Sequence, residues 1–197
     1  MIEMRESGLL FRFEDETFFP IEKEKDKLAT CKGHVKTCEC VVYPQKGHLC
    51  DKVVFIEAKS SAPNRANCIV GKVTNDGTPI DTEHWRLLTP LDNYARDISQ
   101  KFIDSFSMWH SIDTGFHNAS KGLLNIPAGK KTIRSGEHPI FVLVIKGFAD
   151  DWLAPVKAAI EAELRHFIRA WNIRPTALKV VNESMAREIL QIDVETY

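Results

Sequence analysis

Two unbroken apolar runs, Val53-Val-Phe-Ile56 and Ile140-Phe-Val-Leu-Val-Ile145, constrain the fold of this 197-residue chain more than any other feature. A strand that buries one face alternates apolar with polar residues, whereas a continuous run means that both faces are covered. A sheet built on such strands needs a layer on each side, which places the chain in the α/β or α+β class. Both runs are far shorter than the roughly 20 residues that a bilayer-spanning helix requires. The opening Met1-Ile-Glu-Met-Arg-Glu6 carries no apolar leader segment. A soluble protein of the cytoplasm, with no membrane partner, is the expectation, and an odd count of five cysteines fits reduced thiols better than a disulfide framework.

The remaining pattern reads as one domain over residues 1–197. Leu9–Phe13 and Thr17–Ile21 read as short strands around the acidic turn Glu14-Asp15-Glu16, and Glu22–Lys27 as a solvated charge run. Lys36–Tyr43 is β-branched and aromatic and ends at the turn residues Pro44 and Gly47. Together with Asp51–Lys59 it predicts an antiparallel hairpin. Residues at about 62–90, broken by Pro63, Gly71, Asn75-Asp-Gly77 and Pro79, predict a loop excursion. Tyr94, Ile98, Phe102, Phe106 and Trp109 form the stripe of an amphipathic helix over 92–110, with Asp92 as its N-cap and Gly115 past its end. Trp152, Val156, Ile160, Leu164, Phe167 and Trp171 mark a second helix, with capping candidates Asp150 and Asp151. A strand over 177–181 and a short helix over 183–190 follow, all built on one sheet.

The chemistry concentrates at the end of the first run, in Glu57-Ala-Lys59. On a strand Glu57 and Lys59 share a face, so their head groups converge, and four apolar residues ahead of them place the charges at a buried strand end. The neighbouring strand carries Glu39 between Cys38 and Cys40, and the hairpin brings this carboxylate beside Glu57. Two carboxylates and the Ala58 carbonyl are oxygen ligands suited to Mg²⁺ or Mn²⁺, with the Lys59 ammonium beside a metal-bound water. The bland alternative is a cross-strand ion pair on a solvated face.

An acid early in one strand, E-x-K at the end of the next, and a following helix resemble the PD-(D/E)XK nuclease superfamily over roughly residues 36–110. The resemblance implies a restriction-endonuclease-like fold, a mixed central sheet with flanking helices, and Mg²⁺-dependent hydrolysis of DNA or RNA phosphodiesters, in a setting such as defence, repair or mobile elements. Glu39 takes the place of the usual Asp, Glu57 is the second acid and Lys59 the catalytic lysine. Helices of this superfamily often add a Gln or Lys, which points to Gln100 and Lys101. Its N-terminal helix, a frequent source of another Glu, has no counterpart in the pattern, which leaves Glu6 or Glu14 as substitutes.

A second constellation overlaps the first. Cys31, His34, Cys38, Cys40, His48 and Cys50 lie within twenty residues and carry the ligand types of structural zinc, although only Cys31-x-x-His34 approaches knuckle spacing. Cys38 and Cys40, on one strand face opposite Glu39, equally suit small core residues. A non-catalytic binding or assembly module, with or without zinc, is therefore the rival to the nuclease. No G-x-S-x-G elbow accompanies Ser60 and Ser61, and glycine-rich phosphate loops are absent. His110, His117, His138 and His166 stand singly. With 26 Lys+Arg against 27 Asp+Glu, nucleic acid would be met by local charge, from Lys130, Lys131 and Arg134 or from Lys32, Lys36 and Lys46. Near-neutrality also implies a homodimer or a protein partner for tight binding.

Overall fold

The computed structural model describes residues 1–14, 17–26, 33–46, 48–50, 52–63, 90–114 and 138–197. The strands are β1 (Ile2–Glu6), β2 (Leu9–Phe13), β3 (Phe18–Phe19), β4 (Cys40–Val42), β5 (Val54–Lys59), β6 (Ile140–Ile145), β7 (Leu178–Val181) and β8 (Asp193–Thr196). The helices are α1 (Ile21–Asp26), α2 (Pro90–Asp113), α3 (Asp150–Ala170) and α4 (Glu183–Leu190). The fold is α+β. It has two sheets rather than the single one expected from sequence: a five-stranded sheet in the order β3-β4-β5-β6-β7, and a three-stranded sheet in the order β1-β2-β8.

The two apolar runs pair in parallel at the centre of the larger sheet, with Phe55 opposite Phe141 and Glu57 opposite Leu143. Alternate residues of β5 and β6 feed two cores, which accounts for the runs being apolar throughout. One core lies between the sheet and helices α2 and α3: Phe55, Phe141 and Leu143 pack there with Ile98, Phe102, Trp109, Ile160 and Leu164. Phe55 meets Trp109 edge-on at 6.0 Å and Phe141 at 5.4 Å. The other core lies beneath the smaller sheet and α4, where Val54, Ile56, Ala58, Val142 and Val144 meet Phe11, Leu190 and Val194. Arg12 ties the small sheet across its three strands by pairing with Glu3, Asp193 and Glu195.

The expected hairpin is present, with β4 antiparallel to β5 and Cys40 opposite Ile56. It is shorter than the sequence pattern predicts, because the chain bends at Glu39. The Cys38 N–H leaves the ladder and donates to Ser105 Oγ of α2 at 2.7 Å. This bend places Cys38 in the helix-side core and Cys40 in the small-sheet core. The two thiols therefore lie on opposite faces of the sheet, not on one face as period-two alternation predicts. Helix α1 replaces both the end of the strand expected over 17–21 and the solvated charge run. Asp150 and Asp151 belong to the first turn of α3 rather than capping it; Ala149 is the cap residue. Among the described residues no helix is long and apolar enough to cross a membrane.

Candidate functional site

The bend at Glu39 is what assembles the site. The Glu39 N–H still donates to the Ile56 carbonyl at 3.0 Å, which keeps its side chain beside the end of β5 while the chain ahead of it turns along α2. Residues 36–38 are held to that helix by three bonds. Lys36 Nζ meets Asp97 Oδ1 at 2.5 Å, Lys36 N–H donates to Asp104 Oδ2, and Cys38 N–H donates to Ser105 Oγ. Ser105 in turn donates to the Lys101 carbonyl at 2.6 Å, one turn earlier on the helix. Strand entry and helix are thereby locked in register, and Lys101 is aimed at the end of β5.

Four of the residues singled out from sequence come together there. Glu57 is fully buried. Its Oε1 receives Lys101 Nζ at 2.7 Å and Lys59 Nζ at 2.9 Å. Lys101 Nζ also lies 3.8 Å from Glu39 Oε1, so the distances of 2.7 and 3.8 Å bound the separation of the two carboxylate oxygens at 6.5 Å. One Mg²⁺ bonded to both at about 2.1 Å needs these oxygens within about 4.2 Å of each other, a separation inside that bound. The other oxygen of Glu57, Oε2, is buried with no hydrogen-bond partner, and so is the Tyr94 hydroxyl, whose ionisation burial disfavours first and the Glu57 charge second. A buried carboxylate oxygen without a donor is costly and marks a place for a water, ion or ligand.

The electrostatics follow from burial. Glu39 is pushed up to about 9, first by desolvation, then by the Glu57 charge and by a hydrogen bond with Glu22 of α1, with Glu6 adding repulsion. Burial also lifts the Glu57 carboxyl, against the pull of Lys101 and Lys59. For Lys101 burial disfavours the ammonium, but Glu57 and Glu39 outweigh it and raise its pKa. With both ammonium groups inside 3 Å, Glu57 is the ion-paired carboxylate and Glu39 the proton carrier of the cluster. Asp97 is held below the usual range: burial works against this, and Lys36 with the neighbouring Lys59 and Lys101 overcomes it.

The remaining candidates divide. Glu6 reaches the cluster electrostatically. Glu14 does not: it stands past the far end of β2, beside a cavity of about 220 Å³ lined also by Arg12, Lys46 and Leu190. Gln100 points to solvent and donates to Asp104 at 2.7 Å, since one helical step turns a side chain by about 100° and only one of Gln100 and Lys101 can face the sheet. The Ala58 carbonyl accepts from Ser7 Oγ at 3.0 Å. Glu22 and Asp97 were missed by the sequence reading. Glu22 lay hidden in the charge run, while Asp97, four residues before Lys101, was legible from helical spacing.

For zinc, Cys38 and Cys40 cannot meet at one ion because they lie in separate cores. Cys50 Sγ donates to the Gln45 carbonyl at 3.2 Å, and His34 and His48 are exposed. Cys31, Lys32, His117, Lys130, Lys131, Arg134, most of the 62–90 excursion and the loop after α2 lie outside the described residues. Among the described residues no three His, Cys, Asp or Glu side chains form a metal-holding group. The fit to Mg²⁺ therefore rests on two carboxylates, one carbonyl and retained waters, a set this ion accepts because it dehydrates reluctantly. Comparison with protein-family models, with curated proteins and with solved structures finds no match for the chain.

Proposed function

We propose that this chain is a nuclease of the PD-(D/E)XK kind, a divalent-metal-dependent phosphodiesterase acting on DNA or RNA, as a homodimer or beside a protein partner. One observation carries the reading. Glu57 is fully buried, with one oxygen on two lysines and the other without a partner. An ordinary surface ion pair needs neither the burial nor the second lysine, and it leaves no orphaned oxygen.

In this reading Glu39, Glu57 and the Ala58 carbonyl would hold Mg²⁺ or Mn²⁺, which would supply a water of lowered pKa and positive charge beside the phosphate. Lys59, a quarter exposed at its side chain, is the group able to reach out of the cluster; it orients the attacking water and steadies the phosphate oxygens. Lys101 is more enclosed and holds Glu57 in place, so that the carboxylate keeps its orientation when substrate arrives. Glu39 would be the carboxyl that releases a proton on cation binding, because a nearby cation favours the carboxylate.

The test is cleavage of single- and double-stranded DNA and RNA with Mg²⁺ or Mn²⁺, comparing the natural chain with Lys59→Ala and Glu57→Gln. Metal-dependent cleavage that falls by about a hundredfold or more in both variants is expected, the scale of a lost group in general acid–base chemistry. Cleavage unchanged in Lys59→Ala refutes the assignment. Bound zinc with no metal-dependent cleavage favours the binding-module reading instead.

A further inference from the structure

The carbonyls of β5 point alternately to its two neighbours. Those of Val53 and Lys59 accept from the β6 side, from Ile140 and Lys146 N–H, and that of Ile56 accepts from Glu39 N–H on the β4 side. Ala58 is two residues beyond Ile56, so its carbonyl also faces the β4 side. The β4 chain is no longer there: it has bent away at Glu39, and the Cys38 N–H is spent on Ser105. A fully buried residue is thus left with a carbonyl that has lost its ladder partner.

The partner it has instead comes from the other sheet. The β1–β2 turn, with Ser7 at φ 54° and Gly8 at φ 75°, lays Ser7 Oγ 3.0 Å from the Ala58 oxygen. The same hydroxyl lies 3.2 Å from Glu6 Oε1, which already accepts the Ser7 N–H at 3.1 Å. A hydroxyl has one hydrogen to donate, so it can serve one of these acceptors at a time. The turn is fixed over the site by the C-terminal strand: Tyr197 N–H donates to the Gly8 carbonyl, and Lys146 Nζ to the Tyr197 carbonyl at 3.1 Å.

We propose that Ser7 is a positioning residue of the candidate site, a stand-in donor that holds the Ala58 carbonyl until a divalent cation takes it, whereupon the hydroxyl turns to Glu6. The proposal rests on the metal reading above and adds a residue, and a second sheet, to it. Its sign follows from burial. The Ala58 carbonyl has no access to water and depends on Ser7 when no cation is present, whereas Glu6 is partly exposed and exchanges a hydroxyl for water at little cost. Ser7 therefore favours the cation-free state, and removing its hydroxyl tightens cation binding.

Ser7→Gly is the variant to use, because glycine adopts the positive φ of this position without strain. Mn²⁺ is titrated calorimetrically into the natural chain, Ser7→Gly and Glu57→Gln, and each is melted with and without saturating Mn²⁺. The expected result is binding to Ser7→Gly roughly two- to tenfold tighter than to the natural chain, the range of one net hydrogen bond. The variant also melts lower without Mn²⁺ and gains more from it; a purely structural serine would lower both melts alike. Binding that is equal or weaker in Ser7→Gly overturns the role of Ser7 and leaves the metal site standing. A natural chain that takes up no Mn²⁺, or takes it up equally in Glu57→Gln, overturns the metal reading and this inference with it.

Discussion

Replacing Glu39 by glutamine is expected to flatten the dependence of stability on pH. The carboxyl is held at about 9 in the folded protein against an ordinary value near 4.5, so the folded state keeps a proton that the unfolded state releases. A group raised in this way contributes its full stability below about pH 4.5 and loses it as pH rises toward 9. The slope is at most about 1.4 kcal/mol per pH unit, which gives about 3 kcal/mol between pH 5.5 and 8. At roughly 2–4 °C per kcal/mol for a domain of this size, the natural chain should melt about 6–12 °C lower at pH 8 than at pH 5.5 from this group alone. Glutamine has the same shape and no titration. Urea denaturation midpoints of both proteins, without divalent ions and at half-unit pH intervals, read the difference directly. The upper limit of pH 8 keeps clear of Cys38 and Cys40, whose buried thiols are raised above their ordinary value. If Glu39→Gln retains the natural slope, the proton is not on Glu39 and the electrostatic account of the cluster is wrong.

Lys101→Met keeps the apolar stem but leaves Glu57 with one ammonium. It should cost about 2–3 kcal/mol by urea denaturation, less than the 3–5 of stripping a buried charge of its sole partner, because Lys59 stays at 2.9 Å; a loss under 0.5 kcal/mol would contradict the pairing. Tyr43→Phe removes the acceptor of the buried Trp109 Nε1–H, now at 2.8 Å, and should destabilise by about 1–3 kcal/mol, checked by the same assay. Gly8→Ala places a Cβ at φ 75° and 2.5 Å from Lys146 Nζ. Its expected cost is about 1–2 kcal/mol, seen as a lowered melting temperature, with Gly8→Asn less affected because asparagine tolerates that conformation.

The parts of the fold legible in the sequence were those whose burial is uniform. β5, β6 and the two long helices carry unbroken runs or full stripes, and α4 matches residue for residue the span read from sequence. What failed was local pattern dominated by something beyond the segment. β1 buries none of its five residues fully and β8 only Val194; their polar residues serve the small sheet's outer face, so neither shows a clear strand signature. Cys38 and Cys40 alternate correctly in sequence, but α2 captures the Cys38 amide and the alternation breaks. At the site, Glu57, Lys59 and Glu39 were legible because a two-residue period on paired strands fixes their shared face. Lys101 and Gln100 were named together, and the helix turn decides between them. Glu22 could not be separated from its charged neighbours without knowing that α1 forms and lies against Glu39.

Ala58 is the smallest side chain on β5, and it faces away from the acids, into the core beneath the small sheet. The candidate site and that core thus share one backbone, with a methyl group as the spacer between them. Bulk added on the far side cannot touch an ionisable group, yet it has only the strand to push against, and the strand carries Glu57 and Lys59 with it. The small sheet is in this sense a backstop: packing among Phe11, Val194 and Leu190 sets how far forward the two charged side chains stand. Substitutions there, remote from any acid or lysine of the cluster, act on its spacing through main-chain displacement alone.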